Sequence, residues 1–180
     1  METIKGLKRT NYCGELRIED AGKEVTLFGW CQRQRDLGNL IFIDLRDRTG
    51  LVQLSFNDTT DREVFAKAQS VRAEYVVAAV GTVCERESKT NKIATGDIEI
   101  NVKEFRIISK AETPPFEIAK SEKVGDETTL KYRYLNLRNE KLTKNILMRH
   151  KIAKIAREYF YANDFIEIET PMMIKSTPEG

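Results

Sequence analysis

LIFIDLRDRTGLVQLSF, residues 40–56, is the stretch on which the fold turns. Taken two residues at a time it separates into two faces, because successive strand side chains point to opposite sides. Ile41, Ile43 and Leu45 share one face; Leu40, Phe42, Asp44 and Arg46 share the other. Beyond Asp47-Arg48-Thr49-Gly50, the apolar face continues through Val52, Leu54 and Phe56, with Leu51, Gln53 and Ser55 opposite. Two short alternating runs joined by a polar turn containing Gly predict a hairpin. One aromatic, Phe42, lies among Asp44, Arg46 and Gln53 and not with the core residues. That placement asks for a reason.

Working outward, residues 24–33, EVTLFGWCQR, also alternate. Val25, Leu27, Gly29 and Cys31 fall together, so this is a first strand, followed by a charged loop over 33–39. After the hairpin, Thr60 with Glu63 has the form of a capping box. Val64, Phe65, Ala68 and Val71 then recur at helical spacing. VVAAVGTVCER (76–86) predicts a fourth strand, and IEINVKEFRII (98–108) a fifth, with Ile98, Ile100 and Val102 inward. Three strands, a helix and two strands make the order of an OB-fold, a five-stranded Greek-key barrel. Other five-stranded barrels stay open on order alone.

The totals bound the function classes. The chain has 180 residues, 41% hydrophobic and 32% charged, the balance of a soluble globular protein with a charged surface. A net charge of +2 is too small to demand a nucleic-acid partner, so a basic site would have to be a local patch. No apolar run reaches the roughly 18 residues of a membrane span, and METIKGLKRTNY lacks the apolar core of a signal peptide. Cys13, Cys31 and Cys84 are odd in number and far apart, without zinc spacing. They are expected as small buried residues in a reducing cytoplasm. The expectation is no membrane contact and no metal site.

After residue 108 the period is lost. AETPPFEIAKSEKVGDETTL (111–130) carries Pro114-Pro115 and many charges and reads as a hinge. A long helix follows, with Leu142, Ile146, Ile152, Ala153, Ala156, Tyr159 and Phe160 along one stripe, stopped by Asn163-Asp164. FIEIETP (165–171) then predicts a strand. One helix and one strand cannot bury both apolar faces, so this is the first piece of a larger α+β domain. The expected division is 1–110 for the barrel, 111–138 for the hinge and 139–180 for the start of the second domain. His150, on the long helix, is expected at a surface or interface.

An OB-fold binds on its second and third strands and through the loops that join strands one to two and four to five. The first loop carries Arg33 and Arg35, and the second carries Lys89 and Lys92. Phe42 and Gln53 lie on the exposed face, and Glu99 opens the fifth strand facing out. This set suits single-stranded nucleic acid: an aromatic stacks on an unpaired base, amide and carboxylate groups read base edges, and arginines hold phosphates. Taken singly, each residue has an ordinary explanation: an outward Phe packs under a loop, and loop arginines stay in solvent. Their convergence on one face favours binding.

TNYCGEL, VTLFGW, RQRDLGNLIFIDLRDRTGLVQL, ATGDIEI, LKYRYLNLR and FIEIETPMMIKSTPEG, in that order, closely resemble the N-terminal part of bacterial-type aspartyl-tRNA synthetase. The resemblance covers nearly the whole chain, with 111–130 matching least. It implies an anticodon-binding barrel, a hinge, and the start of a class II catalytic domain. Residues 142–171 resemble the first class II motif, a long helix and a strand ending in a proline, here Pro171, at the dimer interface. Phe42 then corresponds to the aromatic that stacks on an anticodon base. Gln53 corresponds to the reader of the central uridine, and Glu99 to the carboxylate near the first anticodon position. Arg35 corresponds to an anticodon-contacting arginine, with Arg33 a basic position beside it. Glu179 corresponds to a glutamate that pairs with the ammonium group of aspartate.

The chain departs from the family at Gln34, where three consecutive arginines are common, and at Asn136, where aspartate is. The resemblance implies a complete homodimeric enzyme that activates L-aspartate with ATP and Mg²⁺ and transfers it to tRNA. The motifs for ATP come later in such enzymes. This chain alone is therefore expected to recognise tRNA, to bind no cofactor and to be inactive, with no catalytic residue of its own. Two other readings stay open. One is a related lysyl- or asparaginyl-type enzyme, although STPEG resembles the aspartyl type. The other is a free-standing single-strand-binding OB protein, against which the dimer motif argues.

Overall fold

The computed structural model describes residues 2–173. Five strands appear: β1 (Glu24–Asp36), β2 (Ile41–Arg46), β3 (Leu51–Phe56), β4 (Val76–Glu85) and β5 (Ile98–Ser109). They close into a barrel in the order β1-β2-β3-β5-β4, with β4 returning to pair with β1. All pairs are antiparallel except β3 with β5. Helix α1 (Arg62–Ser70) joins β3 to β4, the OB-fold arrangement. The inward alternation is as expected: Val25, Leu27, Ile41, Ile43, Leu45, Val52, Leu54, Ile98 and Ile100 are buried in one core. Ala68 and Val71 join it from α1, with Val64 and Phe65 partly buried against it. Phe56 and Phe105 meet edge to face at 5.1 Å.

The loop expected over 33–39 is mostly strand, because β1 runs on to Asp36. Its register with β2 slips between Cys31, opposite Leu45, and Arg33, opposite Asp44. Gln32 is the extra residue of a bulge, and a bulge re-aims every side chain beyond it. Strict alternation would have turned Arg33 and Arg35 towards the core with Cys31. After the bulge they line up with Asp44 and Phe42 outside. Gln34 points the other way and donates to the carbonyls of Ala68 (3.1 Å) and Gln69 (3.2 Å) at the end of α1.

The helix cap also differs. Asp61, not Thr60, is the N-cap: its Oδ1 accepts from the N–H groups of Glu63 (2.8 Å) and Val64 (3.3 Å). Thr60 instead accepts from Asn57 N–H through its hydroxyl (3.0 Å), tightening the preceding turn. A carboxylate is the stronger acceptor beside free helix N–H groups and also meets the positive helix end.

The N-terminal TNYCGEL folds as a 3-10 turn, Cys13–Glu15, seated on the hairpin turn. Asp47 ties the two. Its Oδ2 accepts from Cys13 N–H (2.7 Å), and its Oδ1 from Thr49 N–H (2.8 Å) and hydroxyl (2.7 Å). Burial alone would raise the Asp47 carboxyl, but these bonds outweigh it and hold it below its ordinary range. Gly14 is required here, since a Cβ would overlap the Thr49 carbonyl. Cys13 and Cys31 are buried and Cys84 is half-buried, none in a disulfide. Burial, with Asp44 and Glu74 nearby, pushes the Cys31 thiol up to about 12, leaving it inert as a nucleophile.

The chain divides into two compact units between Pro115 and Phe116. The second holds a 3-10 helix (Ile118–Lys123), then α2 (Asp126–Lys131), α3 (Arg133–Asn136) and α4 (Glu140–Ala162). The aperiodic stretch 111–130 therefore contains helical pieces too short to show a period. Asn139 caps α4, accepting from Lys141 N–H (3.0 Å) while its amide donates to Ile118 carbonyl (3.2 Å). No residue of α4 is buried; Ile152 is 61% exposed and Tyr159 67%. The strand expected at 165–171 does not form. A strand needs a ladder partner for its N–H and C=O groups, and no described strand lies in this unit. Glu167 turns back to α4 instead, accepting from Tyr161 hydroxyl (2.7 Å) and Arg157 (3.1 Å). Among the described residues, no helix is long and apolar enough to cross a membrane.

Candidate nucleic-acid interface

Register builds two adjacent rows across the outer face of the barrel. One runs Arg33, Asp44, Gln53, Glu99 and Cys84 over β1, β2, β3, β5 and β4. The other runs Arg35, Phe42, Ser55, Asn101 and Thr82. Five of the residues picked from the sequence, Arg33, Arg35, Phe42, Gln53 and Glu99, thus lie together in two neighbouring rows. The parallel β3–β5 pairing sets Gln53 beside Glu99, 46 residues apart in sequence.

The polar side chains are joined. Gln53 Nε2 donates to Glu99 Oε2 at 2.7 Å. Gln53 Oε1 accepts from Arg35 Nη2 at 2.9 Å and from Arg86 Nη2 at 2.9 Å. Arg35 Nη2 also donates to Asp44 Oδ1 at 3.0 Å. Arg35 lies over the Phe42 ring, its guanidinium carbon 5.4 Å from the centroid. Gln53 is not the open reader that alternation suggests: inside this network it is only 4% exposed. Phe42 is half-buried and Arg33 exposed. The buried Nε of Arg35 has no partner at all among the described residues. A desolvated donor without an acceptor costs about 1–3 kcal/mol, so an incoming acceptor has something to gain there.

Sequence reasoning missed Arg86 and gave Asp44 no role. The signal for Arg86 was present: 82, 84 and 86 share an outward period of two at the end of β4. Of the loop lysines, Lys89 pairs with Glu85 and Lys92 is exposed, and neither enters the network. Gly96 closes this loop against Thr90, whose carbonyl a Cβ would overlap.

Residues 25–108, the span of the barrel, match the OB-fold nucleic acid binding domain family. Across 99% of its length the chain is 53% identical to an aspartate–tRNA ligase of Ruminiclostridium cellulolyticum, covering 30% of that protein. This chain corresponds to the N-terminal portion of the aspartate–tRNA ligases. An aspartate–tRNA(Asp/Asn) ligase of Thermoanaerobacter is similar to the same degree, 53% over 99% of the chain and 31% of its own length. Residues 125–180 match the family of class II tRNA synthetases (D, K and N), the start of the ligases' second domain. The aspartyl-tRNA synthetase of Entamoeba histolytica superposes with a TM-score of 0.84 at 27% identity, over 93% of this chain and 40% of that one. The chain thus spans under a third of the length of these curated ligases. Pro171 is exposed, and Glu179 lies outside the described residues.

Proposed function

We propose that the outer face of the barrel binds the anticodon loop of an aspartate tRNA, with Phe42 stacking on one base and Gln53 and Glu99 meeting base edges. The observation that carries this reading is the two-row arrangement itself. It puts an aromatic platform, a base-sized set of donors and acceptors and an exposed arginine within two residues of one another on an OB-fold's binding strands. Arg35 and Arg33 supply positive charge, Arg35 through its unpartnered Nε and Arg33 as an exposed guanidinium. The edge of a splayed base and a phosphate both offer the acceptors these groups need.

The wider activity follows from the similarity to aspartate–tRNA ligases. In that reading the complete protein is a cytoplasmic homodimer that activates L-aspartate with ATP and Mg²⁺ and passes it to tRNA. Pro171 and α4 belong to its dimer interface, and Glu179 to its aspartate site. Among the described residues there is no group of three or more His, Cys, Asp or Glu able to hold a metal. Recognition is the part of the reaction assigned to this chain. Titration with an anticodon stem-loop carrying GUC tests it. Saturable binding that weakens when the loop bases are changed is expected. Equal binding to an unrelated hairpin would remove the assignment.

A further inference from the structure

We propose that Arg86 is a positioning residue that turns Gln53 into a donor-only reader, selective for a base carbonyl over a base amine. This rests on the interface reading above and deepens it. A glutamine side chain carries two acceptor lone pairs and two N–H donors, and it can present either end by a half-turn of its amide. Here the half-turn is blocked by chemistry. Arg35 and Arg86 can only donate, and both donate to Oε1, at 2.9 Å each. Glu99, when ionised, can only accept, and it accepts from Nε2 at 2.7 Å. A flipped amide would set N–H against two guanidiniums and oxygen against a carboxylate. The orientation is therefore fixed by the partners' donor and acceptor capacities.

Counting what is left gives the specificity. Both lone pairs of Oε1 are taken, and one of the two N–H groups is taken. The amide keeps one donor and no acceptor. Uracil offers a carbonyl at its 4-position, where cytosine offers an amine. A donor-only group binds the first and confronts the second with another donor, leaving both unsatisfied. Arg86 supplies the second bond to Oε1, so its removal returns a lone pair to Gln53, which can then accept from cytosine. Arg86 does this without itself having to touch the base.

The test uses this chain and stem-loops that differ only in the central anticodon base. Wild type is expected to prefer uracil over cytosine by about tenfold or more, the scale of one good base-edge contact. In Arg86→Met the ratio should fall to about threefold or less, while Arg86→Lys, which still donates, should keep it. A residue with a merely structural role would weaken both RNAs alike, and an unchanged ratio in folded Arg86→Met overturns the proposal. Wild type alone supplies a second check with a central pyrimidin-2-one, which has neither 4-substituent. The expected order is uracil, then pyrimidin-2-one, then cytosine. Cytosine binding more tightly than pyrimidin-2-one would show an amide free to turn and would also overturn it. Failure of wild type to bind any of the loops would strike at the interface reading, and is read separately from the ratios.

Discussion

Replacing Phe42 by Ala separates a binding aromatic from a core aromatic. Phe42 stands on the outer face opposite Arg35 and Ser55, while its neighbours Ile41 and Ile43 are fully buried inside. What the ring gives the free protein is partial burial and one cation–π contact with Arg35 at 5.4 Å. Its loss should lower folding stability by about 1–2 kcal/mol. Phe56 is the internal comparison: it is fully buried and packs edge to face on Phe105, so Phe56→Ala should cost about 3–5 kcal/mol. For RNA the ranking reverses. Losing one stacked base is worth about 1–3 kcal/mol, roughly a 5- to 150-fold rise in Kd for Phe42→Ala. Urea melts and stem-loop titrations on the same preparations give both numbers. If Phe42→Ala is destabilised as much as Phe56→Ala while its folded fraction binds RNA like wild type, the ring is a packing residue and the interface is misplaced.

Other expectations follow from particular contacts. Asp47→Asn should cost about 1–3 kcal/mol, because an amide has only one acceptor oxygen for N–H groups that approach from both sides. The Asp47 carboxyl is held below its ordinary 3.8, so its contribution is present above that value and is lost as pH falls through the folded-state value. Urea midpoints of wild type and Asp47→Asn should therefore converge below about pH 4. Glu74 has a φ of 65° while pairing with Arg46 at 2.8 Å. Both Glu74→Ala and Glu74→Gly lose the pair, but only Gly relieves the left-handed backbone, so it should be the more stable of the two by about 1 kcal/mol in urea melts. Arg33 is exposed, whereas Arg35 is engaged with Asp44 and Gln53. Arg33→Ala should reduce the slope of log binding constant against log salt by about 0.7, and an unchanged slope would exclude a phosphate contact.

What could be read from the sequence, and what could not, divides by range. Alternation is a local property, so the inward sets of β1, β2, β3 and β5 and the helix between β3 and β4 were legible residue by residue. A bulge is not visible to a period, because it is set by the partner strand. Gln32 therefore hid the continuation of β1 and put Arg33 and Arg35 in a loop beside the binding face, without the register that sets them opposite Asp44 and Phe42. Burial on an outer face is also non-local. Gln53 alternates as a solvent residue, yet Arg35, Arg86 and Glu99 reach it from 18, 33 and 46 residues away. The strand expected over 165–171 failed for the converse reason: its period is real, but a period forms no ladder without a neighbour. Alternation could find which residues face outward, and so it found the candidate readers. Only the closed barrel shows that these side chains first bind one another, so on the proposed reading an RNA base would meet a network whose donors and acceptors are already assigned. On that reading selectivity would reside in the few bonds the network leaves unmade, the second N–H of Gln53 and the Nε of Arg35, more than in the number of polar residues on the face.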